Sequence, residues 1–325
     1  MKSNQLKITY FNCSGFKPRN YDYINDIYNK CDILLLQETW LYNFESVQFN
    51  NILPDCQYHS TSAMDESDIR RNGRPFGGVA TVWHNDLAIS VTPVTMASPR
   101  ICAVVIKSTN VNLVLCNVYM PCDNGTQESF ITYGEVLFDM LALFETYNGY
   151  DIIIGGDLNV DFSRVTSRNL SLLKQVINDE FFTCLSLEYN TNEFTFMNSN
   201  GDKSFIDHFI ASENITNYNI TVAHDGNNLT GHQPITLETS CQTTIIPKQI
   251  VSRNVIEWDK ATEANVNEYK DTLNHYLNQF HISRNVLNCN DFNCREHGNY
   301  ILQKLEEFIN LMKFSANETI PTKFI

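Results

Sequence analysis

An α/β or α+β protein containing two sheets, at least one of them mixed, is the fold class that this 325-residue chain predicts, and three observations predict it. Short apolar, β-rich runs recur through the first 240 residues. Segments with helical spacing separate several of these runs. Polar side chains stand at the ends of the runs, where strands meet loops.

In chain order, Leu6 to Phe11, Ile33 to Leu36, Gly78 to Trp83, Cys102 to Ile106, Val111 to Val118, Ile152 to Ile154, Phe205 to Ile210 and Ile220 to Val222 read as strands. Helices are expected over Tyr21 to Asn29, Glu128 to Tyr147 and Arg168 to Asp179. Lys107-Ser108-Thr109-Asn110 joins two runs as a hairpin, which is what makes one sheet mixed. After Pro234-Ile235 the periodicity fades, and Thr239 to Arg253 reads as a way out of the domain. Beyond it, Val266, Tyr269, Leu273, Tyr276, Leu277 and Phe280 share one helical face, and Ile301, Leu302, Leu305, Phe308, Ile309 and Met312 share another. Two antiparallel helices joined by residues 281 to 298 are the simplest reading. One apolar stripe each is too little for a stable domain, so the hairpin needs a partner: the first domain, a second copy, or a segment outside this chain. The expected organisation is a domain over 1–240, a linker over 241–254 and a helical hairpin appendage over 255–325.

Composition narrows the class. With 43% apolar residues the chain has ample core for a globular domain. No stretch approaches the roughly 20 apolar residues of a membrane span, and the start Met1-Lys2-Ser3-Asn4-Gln5-Leu6-Lys7 lacks the apolar region of a signal peptide, so an intracellular, nuclear or cytoplasmic, protein is expected. Ten cysteines are too sparse for a disulfide scaffold, and Cys13, Cys31, Cys102 and Cys116 lie in or beside apolar runs, as reduced core thiols do. The net charge of −14 argues against tight, charge-driven nucleic-acid binding. Residues 1–240 hold 14 Lys plus Arg against 27 Asp plus Glu, so nearly all of the excess lies there.

The chemistry starts at Ile152-Ile153-Ile154-Gly155-Gly156-Asp157-Leu158-Asn159: a buried strand that stops on two glycines and delivers a carboxylate and a carboxamide. An extended backbone would point Asp157 and Asn159 the same way, while the glycines would let a ligand approach the main chain. Five other polar islands close apolar runs: Asn12, Glu38, Tyr119, Asp207 and His232. An unpaired buried carboxylate costs several kcal/mol, so Glu38, Asp157 and Asp207 need a cation, donors or a cleft, and one shared cleft would serve all three. Taken singly, each island has an ordinary reading as a turn, a strand end or a satisfied histidine; their coincidence in order carries the inference.

These islands, with Gln37-Glu38-Thr39-Trp40, Gly73-Arg74-Pro75-Phe76-Gly77-Gly78-Val79-Ala80, Ser98-Pro99-Arg100-Ile101-Cys102, Asn117-Val118-Tyr119-Met120-Pro121, Gly155-Gly156-Asp157-Leu158-Asn159-Val160-Asp161 and Ser204-Phe205-Ile206-Asp207-His208, resemble the endonuclease/exonuclease/phosphatase superfamily over about residues 6–238. Within it the chain looks like the endonuclease domain of non-LTR (long interspersed element) retrotransposons. The tail from Trp258, including Leu287-Asn288-Cys289-Asn290-Asp291, resembles the segment that precedes their reverse transcriptase.

The resemblance implies a four-layer α/β sandwich, two facing mixed β-sheets flanked by helices, with a C-terminal helical appendage. It also implies a divalent metal, Mg²⁺ with Mn²⁺ as the alternative, held by Glu38 with Asn12 assisting directly or through water. Asp157 would position or deprotonate the attacking water, Asn159 would hold that water or a phosphate oxygen, Tyr119 would donate to the phosphate, and Asp207 would orient His232. Either Asp157 or His232 would take the proton. Arg70, Arg71, Arg74, Arg100 and Ser204 are the expected substrate-binding residues, with DNA as the partner, and residues 255–320 would meet a second copy or a polymerase segment.

Two positions depart from the pattern. Gly231 stands where an Asp normally precedes the last His, so impaired or altered metal dependence is expected; Ser14 stands where many members carry a metal-site Asp that retrotransposon members often lack. Cys289, Cys294 and His297 have zinc-ligand types but supply only three ligands, and free thiols in a helix-hairpin loop are the plainer reading. The function expected is metal-dependent phosphodiester hydrolysis that nicks DNA. The alternatives are hydrolysis of a smaller phosphate ester and a catalytically silent binding or assembly module.

Overall fold

The computed structural model describes residues 5–64, 76–87, 89–108, 111–188, 193–240, 254–287 and 294–324. Arg70, Arg71, Arg74 and Cys289 lie outside them. Two compact units emerge, residues 1–247 and 248–325.

In unit 1 the elements run β1 (Leu6–Asn12), α1 (Pro18–Tyr28), β2 (Ile33–Gln37), α2 (Gln48–Ile52), β3 (Cys56–Thr61), β4 (Val79–His84), β5 (Ser90–Val94), β6 (Ile101–Ser108) and β7 (Val111–Tyr119). They continue through α3 (Gln127–Thr146), β8 (Asp151–Asp157), α4 (Arg168–Asp179), β9 (Phe182–Cys184), β10 (Phe196–Met197), β11 (Lys203–Ser204), β12 (Asp207–Ser212), β13 (Tyr218–Val222) and β14 (Ile235–Thr239). Two six-stranded sheets result, ordered β13-β14-β1-β2-β4-β3 and β5-β6-β7-β8-β12-β9. Both are mixed, because β1 pairs parallel with β2 and β7 parallel with β8 while their other neighbours run antiparallel. β14 was not expected as a strand. It pairs with both β1 and β13, because Ile235 and Leu237 alternate inward with zero exposure.

Three cores separate four layers. Ile24, Ile27 and Tyr28 of α1 and Phe49 of α2 cover Phe11, Leu34 and Leu36. Tyr133, Leu137 and Leu143 of α3 and Leu170 and Leu173 of α4 cover Val114, Cys116, Ile152 and Ile154. Between the sheets lie Leu6, Ile8, Tyr10, Ile33, Leu35, Leu113, Leu115, Ile153, Phe209, Ala211, Ile235 and Leu237. A strand alternates faces with period two. The same parity that places Ile8 and Tyr10 inside therefore places Asn12 there, Leu35 brings Gln37, Leu115 brings Asn117 and Tyr119, Ile153 brings Asp157, and Phe209 brings Asp207. At one edge the gap between the sheets turns polar.

The glycines of β8 serve this packing, which corrects the expectation that they open the main chain to a ligand. The strand runs through Gly155 and Gly156 to Asp157. A Cβ on Gly155 would lie 2.6 Å from Phe209 Cε1 and 2.9 Å from Leu35 Cδ1, and one on Gly156 would lie 1.9 Å from the Val118 carbonyl oxygen. Neighbouring groups fill that space.

Unit 2 comprises β15 (Asn254–Ile256), α5 (Glu263–Leu277), α6 (Arg284–Leu287), α7 (Arg295–Thr319) and β16 (Thr322–Phe324), with β15 and β16 paired antiparallel. Helices α5 and α7 pack antiparallel: Asn265 Nδ2 donates to the Thr319 carbonyl, and Tyr276 meets Phe314, both rings 5.5 Å apart between centroids, while Phe280 meets Phe308. The α5 stripe is half-buried at every position, whereas Ile301, Ile309 and Met312 of α7 remain exposed. Among the described residues, no helix is long and apolar enough to cross a membrane.

Candidate active site

The C-terminal ends of β1, β2, β7 and β8, where open α/β sheets place their ligands, converge with the start of β12. Asn12 Nδ2 lies 3.1 Å from Glu38 Oε1 and 3.1 Å from Asp157 Oδ2, so one amide joins a carboxylate from each sheet. Glu38 also accepts from the Tyr119 hydroxyl at 2.9 Å and from Trp40 Nε1 at 3.1 Å. Glu38 is only half-buried; Asp157 is 2% exposed.

Backbone strain sets the Glu38 side chain. Ser14, Glu38 and Trp40 have φ of 46°, 51° and 58°, a left-handed conformation that side-chain-bearing residues seldom adopt. Main-chain bonds hold it: Gly15 N to Glu38 O, Phe16 N to Thr39 O, Thr39 N to Gly78 O and Trp40 N to Gly77 O, all 2.8–3.1 Å. Asn159 also has a positive φ, 51°. It is therefore not the next inward position of an extended strand, as its spacing from Asp157 suggested. A turn brings it back: Asn159 N donates to Asp157 Oδ1 at 3.0 Å, and its Nδ2 to the Met120 carbonyl at 2.8 Å.

His232, 6% exposed, comes from the loop before β14. Its Nδ1 stands 3.1 and 3.2 Å from the two oxygens of Asp207, and its Nε2 stands 3.8 Å from Asp157 Oδ2. Thr230 and Asn228 pin its main chain, and Phe196 packs its ring at 4.7 Å. Burial works against a charged His232 ring, but the Asp207 carboxylate and its hydrogen bond outweigh this and push the imidazole up to about 9. Burial and the nearby Asp207 raise Asp157 to about 7, against the opposing pull of His232 and the Asn12 amide. Burial first and Glu38 second push the Tyr119 phenol well above its ordinary value.

The remaining expected residues are less central. Arg100 donates Nη1 to the Tyr119 carbonyl at 3.3 Å. Ser204 lines a groove of about 590 Å³ together with Asn159, Phe196, Lys203, Arg164 and Ile206. Four contributors escaped the sequence reading: Trp40, Tyr10, Thr195 and the Gln37–Asn117 pair. Thr195 Oγ1 accepts from the backbone N–H groups of Ile206 and Asp207. Asn117 Nδ2 donates to the Leu36 and Ala80 carbonyls of the facing sheet, and Gln37 donates to Asn117 Oδ1. Strand parity, read back from Asn12 on β1 and forward from Leu35 on β2, would have found Tyr10 and Gln37 as well. His208, adjacent to Asp207, points the other way and bonds the Val160 carbonyl at 2.9 Å.

Two placements for a cation present themselves. Asp157, Asp207 and His232 each bring one ligand atom to within 4.8 Å of one another. However, Asp207 has zero exposure, and its oxygens already accept from Tyr10 and His232, so this cluster works as a hydrogen-bonded chain. Glu38 fits a hard divalent ion better. It is reachable, it shares the Asn12 amide with a second carboxylate, and among the described residues no Lys or Arg pairs with either acid. The Asn12 amide would turn its oxygen to such an ion.

A four-layer sandwich whose polar edge gathers carboxylates, an amide, a phenol and an imidazole defines an α/β class with its site at the strand ends. The chain belongs to the Endonuclease/Exonuclease/phosphatase family, whose model matches residues 9–228. Among solved structures it is similar to an AP endonuclease from Leishmania major (15% identity, 74% of this chain and 89% of that one, TM-score 0.59). It is likewise similar to the endonuclease domain of TRAS1, a telomere-specific non-LTR retrotransposon (14%, 74% and 100%, 0.55). A mannosyl-6-phosphatase from Bacteroides thetaiotaomicron shares the fold too (15%, 72% and 99%, 0.52). No curated protein matches the chain.

Proposed function

We propose that unit 1 is a metal-dependent phosphodiesterase that nicks DNA. The observation that carries this reading is the convergence across two sheets of two hydrogen-bonded groups, Asn12, Glu38, Tyr119, Asp157 and Asn159 in one and Asp207 and His232 in the other, with His232 Nε2 3.8 Å from Asp157 Oδ2. In this reading Asp157, raised toward neutrality by burial, accepts the proton of the attacking water, whose oxygen bonds to phosphorus as the bond to the leaving oxygen breaks. His232, kept cationic by Asp207, presents Nε2–H to a phosphate oxygen and meets the charge that develops there. Asn159, fixed by Met120, orients the water or a phosphate oxygen, and Tyr119 holds Glu38 in place and faces the phosphate. Mg²⁺ or Mn²⁺ held by Glu38 and Asn12 would supply Lewis-acid charge to the phosphate. Arg100 and Ser204, with Lys203 and Arg164 along the groove, would receive the flanking backbone.

Nicking of supercoiled plasmid by the full chain with Mg²⁺ tests this. Glu38→Ala and His232→Ala should each reduce the rate at least ~100-fold, and EDTA should abolish it. Wild-type rates from both variants would overturn the assignment.

One observation favours a second reading. Residues 1–240 carry a net −13, which suits a smaller phosphate ester better than a polyanion. Turnover of a sugar phosphate with no plasmid nicking would select it.

A further inference from the structure

Asp207 is sealed from solvent, so its carboxylate depends on protein donors. His232 Nδ1 is one. The other is the phenol of Tyr10, itself at zero exposure, whose O–H donates to Asp207 Oδ1. Tyr10 stands on β1 in one sheet and Asp207 on β12 in the other, so this bond spans the gap between them. Packing alone does not call for the hydroxyl: Tyr10 continues the face of Leu6 and Ile8 in the inter-sheet core, which a phenyl ring would fill equally well. A carboxylate's terminal torsion is broad, and a single donor leaves it free to turn. Two donors, Tyr10 from β1 and His232 from the loop before β14, fix it.

We propose that Tyr10 is a positioning residue for the hydrolysis described above: by donating to Asp207 across the inter-sheet gap, it locks the carboxylate orientation that aims His232 Nε2 toward Asp157. The proposal rests on that functional reading, but the coupling of Tyr10 to His232 is measurable without turnover. Tyr10 belongs to the buried inter-sheet core, so its own orientation is set by core packing and not by solvent.

The test is Tyr10→Phe in the full chain. Its kcat for nicking should fall about tenfold with KM within about twofold, since a buried hydrogen bond to a charged group is removed but no substrate contact. The melting temperature should hold to within a few degrees, and the Nδ1–H proton resonance of His232 should shift or broaden in metal-free protein. In a His232→Ala background the same substitution should change the residual rate by less than about twofold. An unchanged kcat together with an unmoved His232 resonance overturns the proposal, as does an equal loss in both backgrounds. If wild type shows no metal-dependent hydrolysis while the resonance still moves, the functional reading fails and the Tyr10–Asp207–His232 coupling stands.

Discussion

At the scale of single residues, Asp157 and His232 make stability depend on pH when no metal is bound. His232 rises from 6.5 to about 9 on folding, so its contribution is complete below the unfolded value and is lost as pH climbs through about 9. Asp157 rises from 3.8 to about 7, so the fold favours its protonated form and loses that preference as pH passes about 7. Both slopes point the same way. Thermal melts in EDTA should therefore show Tm falling between pH 6.5 and 9.5, and a level profile would contradict the electrostatics of the site. Gly231 makes a second residue-level case. A Cβ there would lie 2.8 Å from the Met197 carbonyl oxygen and 3.0 Å from Phe196 Cε2, while Met197 N already bonds Gly231 O. Restoring an Asp by Gly231→Asp should thus cost roughly 1–3 kcal/mol through overpacking and should not raise the nicking rate. A faster enzyme of unchanged Tm would show that the neighbouring hairpin yields easily.

At the scale of elements, each strand bordering the site is apolar inside and polar at one end on a single face, so the packing that stabilises the sandwich also aims the site. Gly155 shows how tightly this is set. With Phe209 and Leu35 filling the place of its side chain, Gly155→Ala should push β8 away from the facing sheet. A loss of about 1–3 kcal/mol in urea unfolding is expected, with activity falling further than stability because Asp157 lies two residues on. The Gln37–Asn117 bridge is the polar counterpart. Asn117→Ala would strand the Gln37 amide and remove donors from the Leu36 and Ala80 carbonyls, at roughly 1–3 kcal/mol per stranded buried group. Denaturation midpoints for Asn117→Ala beside an exposed control such as Asn112→Ala would read this directly.

For the whole molecule, acidity and the two-unit organisation set the expectations. Arg164 and Lys203 line the groove and Arg100 reaches the Tyr119 carbonyl, so contacts from these three would make DNA affinity fall with salt at a log–log slope of about −2 to −3, near −0.9 per neutralised phosphate. A slope near zero would move the reading to a small ester. Unit 1 carries all three cores and the entire constellation, so residues 1–247 should fold alone and keep metal-dependent turnover. Circular dichroism and the plasmid assay on that fragment check both. Loss of turnover in a folded fragment would give unit 2 a catalytic part.

The strands β1, β2, β4, β6, β7, β8, β12 and β13 were legible because their apolar runs stand out, and helices α1, α3, α4, α5 and α7 because their stripes repeat at helical spacing, while the short α2 and α6 were not. β3, β5 and β14 were not, since half-polar strands such as Cys56–Thr61 and Ser90–Val94 owe their pairing to neighbours distant in sequence. Likewise the order of polar residues at strand ends singled out Asn12, Glu38, Tyr119, Asp157, Asp207 and His232, which the structure gathers at one edge of the sandwich. By itself, then, the chain determined the class of fold, the family and the chemical types in the site, because alternation and strand-end polarity are local properties. Only the tertiary structure decided that the β8 glycines are filled by Phe209, Leu35 and Val118, that Asn159 returns through a left-handed turn, and that Tyr10 reaches Asp207. Each of those depends on how far apart two packed sheets stand, and no stretch of one strand encodes that distance.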